Sequence, residues 1–334
     1  MSATIDDVAD AAGVSKATVS RVFNKTATVS RETEERVLNA IEKLRYQPNP
    51  HARKLAGGSG AIAFVLQESI EDFFSNPFWL STVDGFVTQA ASEEQHPVLI
   101  FHLRGRSHQE LVESLVRGNY DAVAFFGWHD DIKILERYIP KSMRVVFGGR
   151  QGDSSRFTYV GADNQYGGKL ATTHLIDSGC REILTITGDL SVESGRERLA
   201  GYKEALAEAG IKFDSARVLR GDYSRSSARN CLEKYLSSKK KFDGIFAGND
   251  IMAIEALAVL NEHGIKVPEH CKVIGFDGTE QSRNTEPPLS TVSQPSFELG
   301  RKVAAQLMRP SVEKLENMTL PLELLPRQST ARGK

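Results

Sequence analysis

Two groups of polar residues in the chain have types and spacing suited to recognition of other molecules. The first lies in one short run and consists of Lys16, Ala17, Thr18, Ser20 and Arg21. Lysine and arginine side chains donate to O6 and N7 of guanine, and an alanine methyl can contact the methyl group of thymine. This run therefore predicts a surface that reads base edges in the major groove of DNA.

The second group has the chemistry to hold a carbohydrate. Asp277 follows a predicted strand and can accept hydrogen bonds from two hydroxyls, and Arg198, near a predicted helix start, can donate as a fork. Asn249 follows another strand, and Tyr223 lies in a loop where its ring could stack on a sugar. The alternatives are structural: a salt bridge from Arg198 to a neighbouring glutamate, and a turn cap for Asp277.

Weaker candidates for the same ligand lie in the first half of the chain. Phe74, Asn76 and Trp128 stand near the ends of predicted strands, although Trp128 could equally be a core residue. Arg150 follows two glycines, Gly148 and Gly149, which expose the backbone after a strand. An arginine at such a point could reach a cleft.

Local signals place the base-reading group on the second of three short helices. Thr4 can cap a first helix, which Gly13 can end in a tight turn. Ser15 can cap a second helix over residues 16–23, and a third helix begins near Ser30. Two short helices joined by a tight turn form a helix-turn-helix, which presents the start of its second helix to DNA. A plain three-helix bundle is the alternative.

Small polar side chains around this second helix suit contacts with phosphates, which position a DNA reader. The further residues expected to contact DNA here are Thr4, Ser15, Asn24, Thr28, Ser30, Thr33, Asn49 and Ala52. From Lys16 to Lys54 nine basic residues stand against four acidic ones, while the whole chain carries a net charge of −1. A basic end on a mildly acidic chain fits DNA contact, although the charge signal alone is weak.

Beyond residue 60 short apolar runs alternate with helical stretches. The predicted strands are 61–66, 98–101, 123–126, 145–147, 183–186, 245–247 and 273–276. The predicted helices cover roughly 80–95, 107–118, 164–178, 195–209 and 250–263. Short apolar strands between helices are typical of parallel sheets covered on both faces. The pattern restarts after 160–163, so we predict an α/β body of two doubly wound subdomains, which bind ligands at the carboxyl ends of their strands.

Composition and motifs argue against a membrane protein, a metalloprotein and an enzyme. The 334 residues contain no run of about 18 apolar residues, and the acidic N-terminus is unlike a secretory signal. The three cysteines are widely spaced, so we expect neither disulfides nor structural zinc, and a reducing compartment. No phosphate-binding loop, serine-hydrolase elbow, HExxH or dinucleotide pattern stands out. We therefore expect no cofactor, no metal and no catalytic residue.

Longer motifs resemble a known family. IDDVA (5–9) and AGVSKATVSRVFN (12–24) resemble the headpiece of the lactose/galactose repressor (LacI/GalR) family, and the next signatures are VSRET (29–33) and YQPNP (46–50). The similarity continues through SNPF (75–78), VGADN (160–164), RLAGY (198–202), GND (248–250), GFD (275–277) and PPLSTV (287–292). The resemblance thus spans nearly the whole chain.

The resemblance implies a cytoplasmic, nucleoid-associated bacterial regulator, usually a repressor, that binds pseudo-palindromic operator DNA as a homodimer. It implies a hinge helix in which Leu55 inserts into the minor groove and kinks the site. Insertion of an apolar side chain costs base stacking, but the bent DNA then makes wider contact with the protein. It also implies a body similar to periplasmic sugar-binding proteins, with a mono-, di- or oligosaccharide in its cleft. The stretch Phe147–Arg150 is similar to actinobacterial members that respond to maltose, cellobiose or related sugars.

The implied domains follow from the same resemblance. They are a helix-turn-helix domain at 1–48, a hinge and linker at 49–60, an N-subdomain formed by 61–161 with 294–322, and a C-subdomain at 162–293. Because the chain stops soon after residue 330, without a heptad extension, we expect a dimer rather than a tetramer.

Two other functions stay open from the sequence alone. One is a DNA-binding regulator that is independent of small ligands or is controlled by a protein partner. The other is a carbohydrate-binding protein without operator function. The effector, the operator and the direction of the response are not specified by these motifs.

Overall fold

The computed structural model describes residues 4–24, 29–44, 61–92, 96–101, 107–118, 120, 122–129, 131–141, 143–149, 156–309 and 315–331. Five of the residues expected to bind DNA or ligand lie outside this set, namely Thr28, Asn49, Ala52, Leu55 and Arg150. The side chain of Asn24 is also outside it. The chain divides into two compact units, Met1–Ala61 and Ile62–Lys334.

The first unit contains three helices, as the sequence predicts. They are α1 (Ile5–Ala12), α2 (Lys16–Asn24) and α3 (Arg31–Leu44). One apolar face of each helix meets the others in a small core of Val8, Ala9, Ala12, Val19, Val22, Val37 and Ala40. Gly13 ends α1 in the left-handed conformation, at φ 60°, which glycine adopts without steric cost.

The second unit alternates strands and helices. Its strands are β1 (Ala61–Leu66), β2 (His96–Phe101), β3 (Ala122–Phe126), β4 (Arg144–Gly148), β5 (Thr158–Ala162), β6 (Ile183–Thr187), β7 (Val218–Arg220), β8 (Gly244–Ala247), β9 (Lys272–Asp277), β10 (Ser290–Ser293), β11 (Met318–Leu320) and β12 (Glu323–Leu325). The boundary residue Ala61 is counted here with the strand that it begins.

The helices of the second unit lie between these strands. They are α4 (Ile70–Ser75), α5 (Pro77–Ser92), α6 (His108–Arg117), α7 (Ile132–Tyr138), α8 (Asn164–Asp177), α9 (Glu193–Glu208), α10 (Arg225–Ser237), α11 (Asp250–Glu262), α12 (Glu280–Arg283) and α13 (Ser296–Met308). Every predicted strand and helix of the body has a counterpart here, with ends shifted by a few residues. No helix in the described part of the chain combines the length and apolar character needed to cross a membrane.

The strands form two sheets with matching topology. The first has the order β2-β1-β3-β4-β5-β11 and the second the order β7-β6-β8-β9-β10-β12. The recorded pairings between neighbours are parallel, except for the antiparallel pair of β10 and β12. Each sheet is a doubly wound sheet with its strand order reversing beside its first strand, β1 or β6. Such a reversal leaves a crevice for ligands at the carboxyl ends of the strands.

The chain crosses between the two sheets three times. After β10 in the second sheet, α13 packs on the first sheet through Leu299, Val303 and Leu307. β11 then pairs with β5 of the first sheet, and β12 returns to pair with β10 of the second. The sequence did not predict that the chain returns to the second sheet after residue 322.

Candidate functional sites

The second helix of the first unit presents the predicted base-reading residues on its open side. Lys16, Ala17 and Arg21 are exposed, and Thr18 and Ser20 are half-buried. The intervening Val19 and Val22 are buried in the core of the unit. The helical spacing thus separates a packing face from a face with two cations and a methyl group, which is the arrangement that a recognition helix requires.

The predicted phosphate-contacting hydroxyls in the described part of this unit lie at the three helix starts. Thr4 caps α1, with Asp7 N donating to its hydroxyl at 3.3 Å, and Asp7 accepts from the Thr4 backbone in return. These bonds hold the pKa of the Asp7 carboxyl below its usual value. Ser15 caps α2 by accepting from Thr18 N at 3.1 Å, and Ser30 caps α3 by accepting from Thr33 N at 3.4 Å. Exposed amides at capped helix starts suit anionic groups.

Lys16 pairs with Asp6 of α1 in the unbound protein. Both side chains are more than half exposed, and an ion pair of this kind contributes about 0–1 kcal/mol. A DNA phosphate or a guanine can replace Asp6 as the partner of Lys16 at little cost. The pair therefore does not conflict with the predicted reading role.

The second unit contains a cavity of about 620 Å³ between its two sheets. Its lining comes from segments that follow the carboxyl ends of strands in both sheets, such as Gly127–His129 after β3 and Asp222–Ser226 after β7. The volume lies within the roughly 300–1,000 Å³ of typical small-molecule sites. This cavity is the cleft in which the sequence predicts a ligand.

Arg198 lies at the wall of this cleft, on α9, and is only 6% exposed. Its Nε donates to Asn164 Oδ1 at 3.0 Å and its Nη1 to Gly248 O at 2.5 Å. The guanidinium stacks on the ring of Phe276, with its carbon 3.7 Å from the ring centroid. The alternative of a salt bridge to a neighbouring glutamate is not what the structure contains. Arg198 is instead fixed in one orientation, as a ligand-binding fork requires.

Asp277 ends β9 and faces the same cavity. Its backbone has φ 120°, in the region that residues other than glycine rarely adopt, so the site keeps a strained conformation. Oδ1 accepts a hydrogen bond from Gln294 Nε2 at 2.7 Å and lies 3.9 Å from Arg198 Nη1. Burial raises the pKa of the carboxyl to about 7, against the opposing effect of Arg198.

A second carboxyl is buried close to Asp277. Asp250, at the start of α11, accepts from Thr279 N at 2.7 Å and from the hydroxyl of Thr291 at 2.6 Å. Burial raises its pKa to about 6 despite these bonds. Its negative charge also raises the pKa of Asp277. Two buried carboxyls thus influence each other, and Asp277 is the one that lines the cavity.

Tyr223 and Asn249 support each other at the cleft. Asn249 Oδ1 accepts from Met252 N and so caps α11, while Nδ2 donates to Tyr223 O at 3.1 Å. Tyr223 has φ 74°, and its hydroxyl lies 3.0 Å from that of Ser194. The ring occupies the space that a Cβ on Gly188 would need. Both residues line the cavity, and Asn249 also orients the tyrosine.

On the side of the first sheet, three predicted ligand residues have different positions. Asn76 lines the cavity and accepts from Phe78 N at 3.0 Å. Trp128 touches the cavity but is 1% exposed and packs in the core against Phe125, at 5.2 Å between ring centroids. Phe74 is 66% exposed and is not part of the lining, because Ser75 and the acidic residues occupy the cavity face of the short helix α4.

Several cleft residues were missed by the sequence reasoning. Trp79, His129, Asn164 and Gln294 all line the cavity. Gln294 comes directly after β10 and Asn164 comes two residues after β5, so the position of a polar residue behind a strand end could have identified both. Trp79 lies on a helix and not behind a strand end. An aromatic residue at such a position is expected in the core, so the sequence did not mark Trp79 as a ligand residue.

His129 forms a contact between the two subdomains. Its backbone N donates to Gln67 Oε1 at 2.7 Å. Its Nε2 lies 3.7 Å from Glu68, near the first sheet, and its Nδ1 lies 3.7 Å from Asp189, which follows β6 of the second sheet. The side chain is almost completely buried. The imidazole therefore sits between two carboxylates at the place where the subdomains meet.

The raised pKa of Asp277 predicts a pH-dependent difference in stability between the protein and its Asp277→Asn variant. In the folded state the carboxyl keeps its proton up to about pH 7, whereas the unfolded chain loses it near pH 4. Stability is therefore lost as pH rises through this interval, by up to about 1.4 kcal/mol per pH unit, and the amide avoids the loss. Urea unfolding measured from pH 5 to 8 should show that the free energy of unfolding of Asp277→Asn rises, with increasing pH, relative to that of the parent. Glu269→Gln, which changes an exposed carboxyl, is the control and should follow the parent at every pH. If the stability of Asp277→Asn also ran parallel to that of the parent, the raised pKa of Asp277 would be contradicted.

Comparison with known proteins identifies the family of the chain. Residues 4–49 match the family of bacterial regulatory proteins of the lacI type, and residues 172–330 match the periplasmic binding protein-like domain. The chain is 35% identical to the HTH-type transcriptional regulator CelR of Thermobifida fusca, over 98% of each chain. It is 32% identical to the HTH-type transcriptional repressor PurR of Photobacterium profundum, over 92% of this chain and 91% of that protein.

Two solved structures extend the similarity to the fold. A complex of the transcriptional regulator CelR with cellobiose has a TM-score of 0.77 and 33% identity, over 98% of this chain and 99% of that one. A Lac repressor dimer bound to operator and the anti-inducer ONPF has a TM-score of 0.80 and 28% identity, over 99% of both chains.

Proposed function

Because the chain belongs to the lacI family of bacterial regulatory proteins and is a DNA-binding transcriptional regulator, we propose that it is a repressor whose operator binding is controlled by a small carbohydrate in the cleft. The observation that carries the proposal is the convergence of Arg198 and Asp277, held by fixed partners, on a cavity between two subdomains. A planar donor beside a carboxylate suits adjacent sugar hydroxyls. The relative whose solved structure contains cellobiose supports the same ligand class.

The proposed mechanism couples the cleft to the DNA-binding unit. A homodimer places two recognition helices in successive major grooves of a pseudo-palindromic operator, with half-sites about one helical turn apart. Leu55 of each hinge would kink the minor groove between them. A ligand that binds one arrangement of the subdomains better than the other shifts the equilibrium, with a coupling free energy of roughly 1–3 kcal/mol.

The ligand-contacting set that we propose is smaller than the predicted one. It keeps Asn76, Arg198, Tyr223 and Asp277, with Asn249 as a support for the tyrosine, and it adds Gln294 and Trp79. The aromatic rings of Trp79 and Tyr223 would cover the C–H faces of a sugar. Phe74 is left out because it is not in the cavity lining.

The direct test of the proposal uses DNA from upstream of the coding sequence of the protein. We expect fluorescence anisotropy to show tight binding to one fragment, with a steep loss of affinity as salt rises. Cellobiose, maltose or a related sugar should change that affinity by about fivefold or more. Equal affinity for random and upstream DNA would refute an operator-binding function. Unchanged affinity with every sugar would refute the carbohydrate control alone.

We expect Arg21→Ala to relax the sequence preference of DNA binding. Loss of one bidentate contact to guanine removes about 1–3 kcal/mol of discrimination at one base pair. Binding to a library of operator variants would measure the preference at each position. Lys43→Ala, which removes an exposed cation from the third helix, is the matched control and should weaken binding without changing the preferred sequence. An unchanged preference in Arg21→Ala would exclude it as a base reader.

A further inference from the structure

The described side chains that line the cleft carry more negative than positive charge. The acidic residues of the lining are Glu68, Glu71, Asp72, Glu193, Asp222 and Asp277. The described lining contains two arginines, Arg198 and Arg225, and no lysine. The described part of the lining therefore favours cations over anions.

Neither arginine offers an unopposed positive charge to an anionic ligand. Arg198 already donates to Asn164 and Gly248, and Asp277 lies 3.9 Å from its Nη1. Arg225 is at the outer end, at the start of α10, where its Nη1 lies 3.8 Å from a carboxylate oxygen of Glu255. Each guanidinium group thus already has a carboxyl group as a neighbour.

The carboxylates come from both subdomains and surround the space. Glu71 and Asp72 belong to α4 on the side of the first sheet, and Glu193 and Asp222 lie on the side of the second. An anion between the subdomains would therefore have carboxylates on either side, and closing of the cleft would bring these charges together as water leaves. A hydroxyl group in the same place instead donates to a carboxylate and gains a charge-assisted hydrogen bond.

We infer that the cleft selects uncharged carbohydrates and rejects their phosphorylated forms. The inference rests on the proposed function, since it specifies the class of sugar that the same cleft takes. Glu71 and Asp72 at one side, with Asp222 at the other, are the residues that reject the phosphate. Arg198 and Asp277 then act on hydroxyls and not as an anion-binding pair.

The test compares three neutral disaccharides with their monophosphates by isothermal titration calorimetry on the full chain. The pairs are cellobiose with cellobiose 6′-phosphate, maltose with maltose 6′-phosphate, and trehalose with trehalose 6-phosphate. For each pair that binds, we expect the neutral sugar to bind at least about tenfold more tightly. Tighter binding of a monophosphate would overturn the inference and leave carbohydrate control intact. Failure of all six sugars to bind would overturn both.

A charge-reversal variant separates the field of the cleft from simple steric exclusion. Glu71→Lys should bring the affinity of the phosphorylated sugar about tenfold closer to that of the neutral sugar. Glu269→Lys makes the same charge change at an exposed residue outside the cleft and should leave the ratio unchanged. Raising the salt concentration should also narrow the ratio, because partly exposed charges are screened. If neither Glu71→Lys nor added salt changed the ratio of the neutral-sugar affinity to the phosphorylated-sugar affinity, size and not charge would exclude the phosphate, and the inference would be wrong.

Discussion

Replacing Asp277 with alanine is expected to weaken binding of the carbohydrate effector by about 100-fold. Above about pH 7, where Asp277 is ionised, the carboxylate would accept two hydrogen bonds from sugar hydroxyls, and each bond to a charged group contributes about 1.5–3 kcal/mol. Affinity of the ligand-free protein for its operator should stay within about twofold, because Asp277 is in the second unit, far along the chain from the recognition helix. Operator binding measured with increasing effector would show the response displaced to about 100-fold higher effector concentration.

Two further variants make this expectation decisive. Asp277→Asn preserves the shape of the side chain and an acceptor for Gln294, so a folding defect cannot explain its loss of response. Glu269→Ala removes an exposed carboxylate outside the cleft and should respond like the parent. A normal effector response in Asp277→Asn would remove the carboxylate from the ligand-binding set.

Gly300→Ala should destabilise the second unit by about 3 kcal/mol. Gly300 is on α13, and a Cβ there would overlap the backbone carbonyl of Thr82 on α5. Gly85 on α5 faces the backbone of Phe297 in the same way. Because the obstacle is backbone and not a flexible side chain, the two helices must move apart and lose packing against the sheet. Thermal or urea unfolding would measure the change.

The control for this substitution is in the same helix. Lys302→Ala changes a half-exposed side chain two residues away and should alter stability by less than about 0.5 kcal/mol. The second subdomain offers an independent repeat, since Gly201 on α9 meets the backbone of Gln165 on α8. Gly201→Ala should therefore cost a similar amount. If both glycine variants were as stable as the parent, close backbone packing would not hold these helix pairs together.

The sequence predicted the helix-turn-helix well because its signals are local. Thr4, Ser15 and Ser30 are caps within three residues of the amides they bind, and Gly13 ends α1 by its own conformation. The same is true of the buried strands, whose apolar runs are continuous. The short helices α4 and α7 escaped prediction because one or two turns carry too little periodicity.

The candidate site was predictable in part, for a different reason. Asp277 and Asn249 follow strands, and strand ends of a doubly wound body converge on one edge. What the sequence could not provide is the neighbourhood of each residue. Only the structure places Gln294 against Asp277 and Asp189 across from His129, because these contacts join segments far apart in the chain. Trp128 was a candidate because it follows a strand, but the structure buries its ring against Phe125, and the sequence could not reveal that contact.

The crossings of the chain also govern when the protein can fold during synthesis. The first sheet has most of its strands by Ala162, yet β11, its last strand, is translated about 160 residues later. At 5–20 residues per second this delay is roughly 8–30 s. The second sheet waits for β12, and Ser329, whose hydroxyl donates to Val273 O, is made after that strand. The nascent body therefore stays incomplete until β11 and β12 have left the ribosome, and deletion of these two strands would open an edge of both sheets.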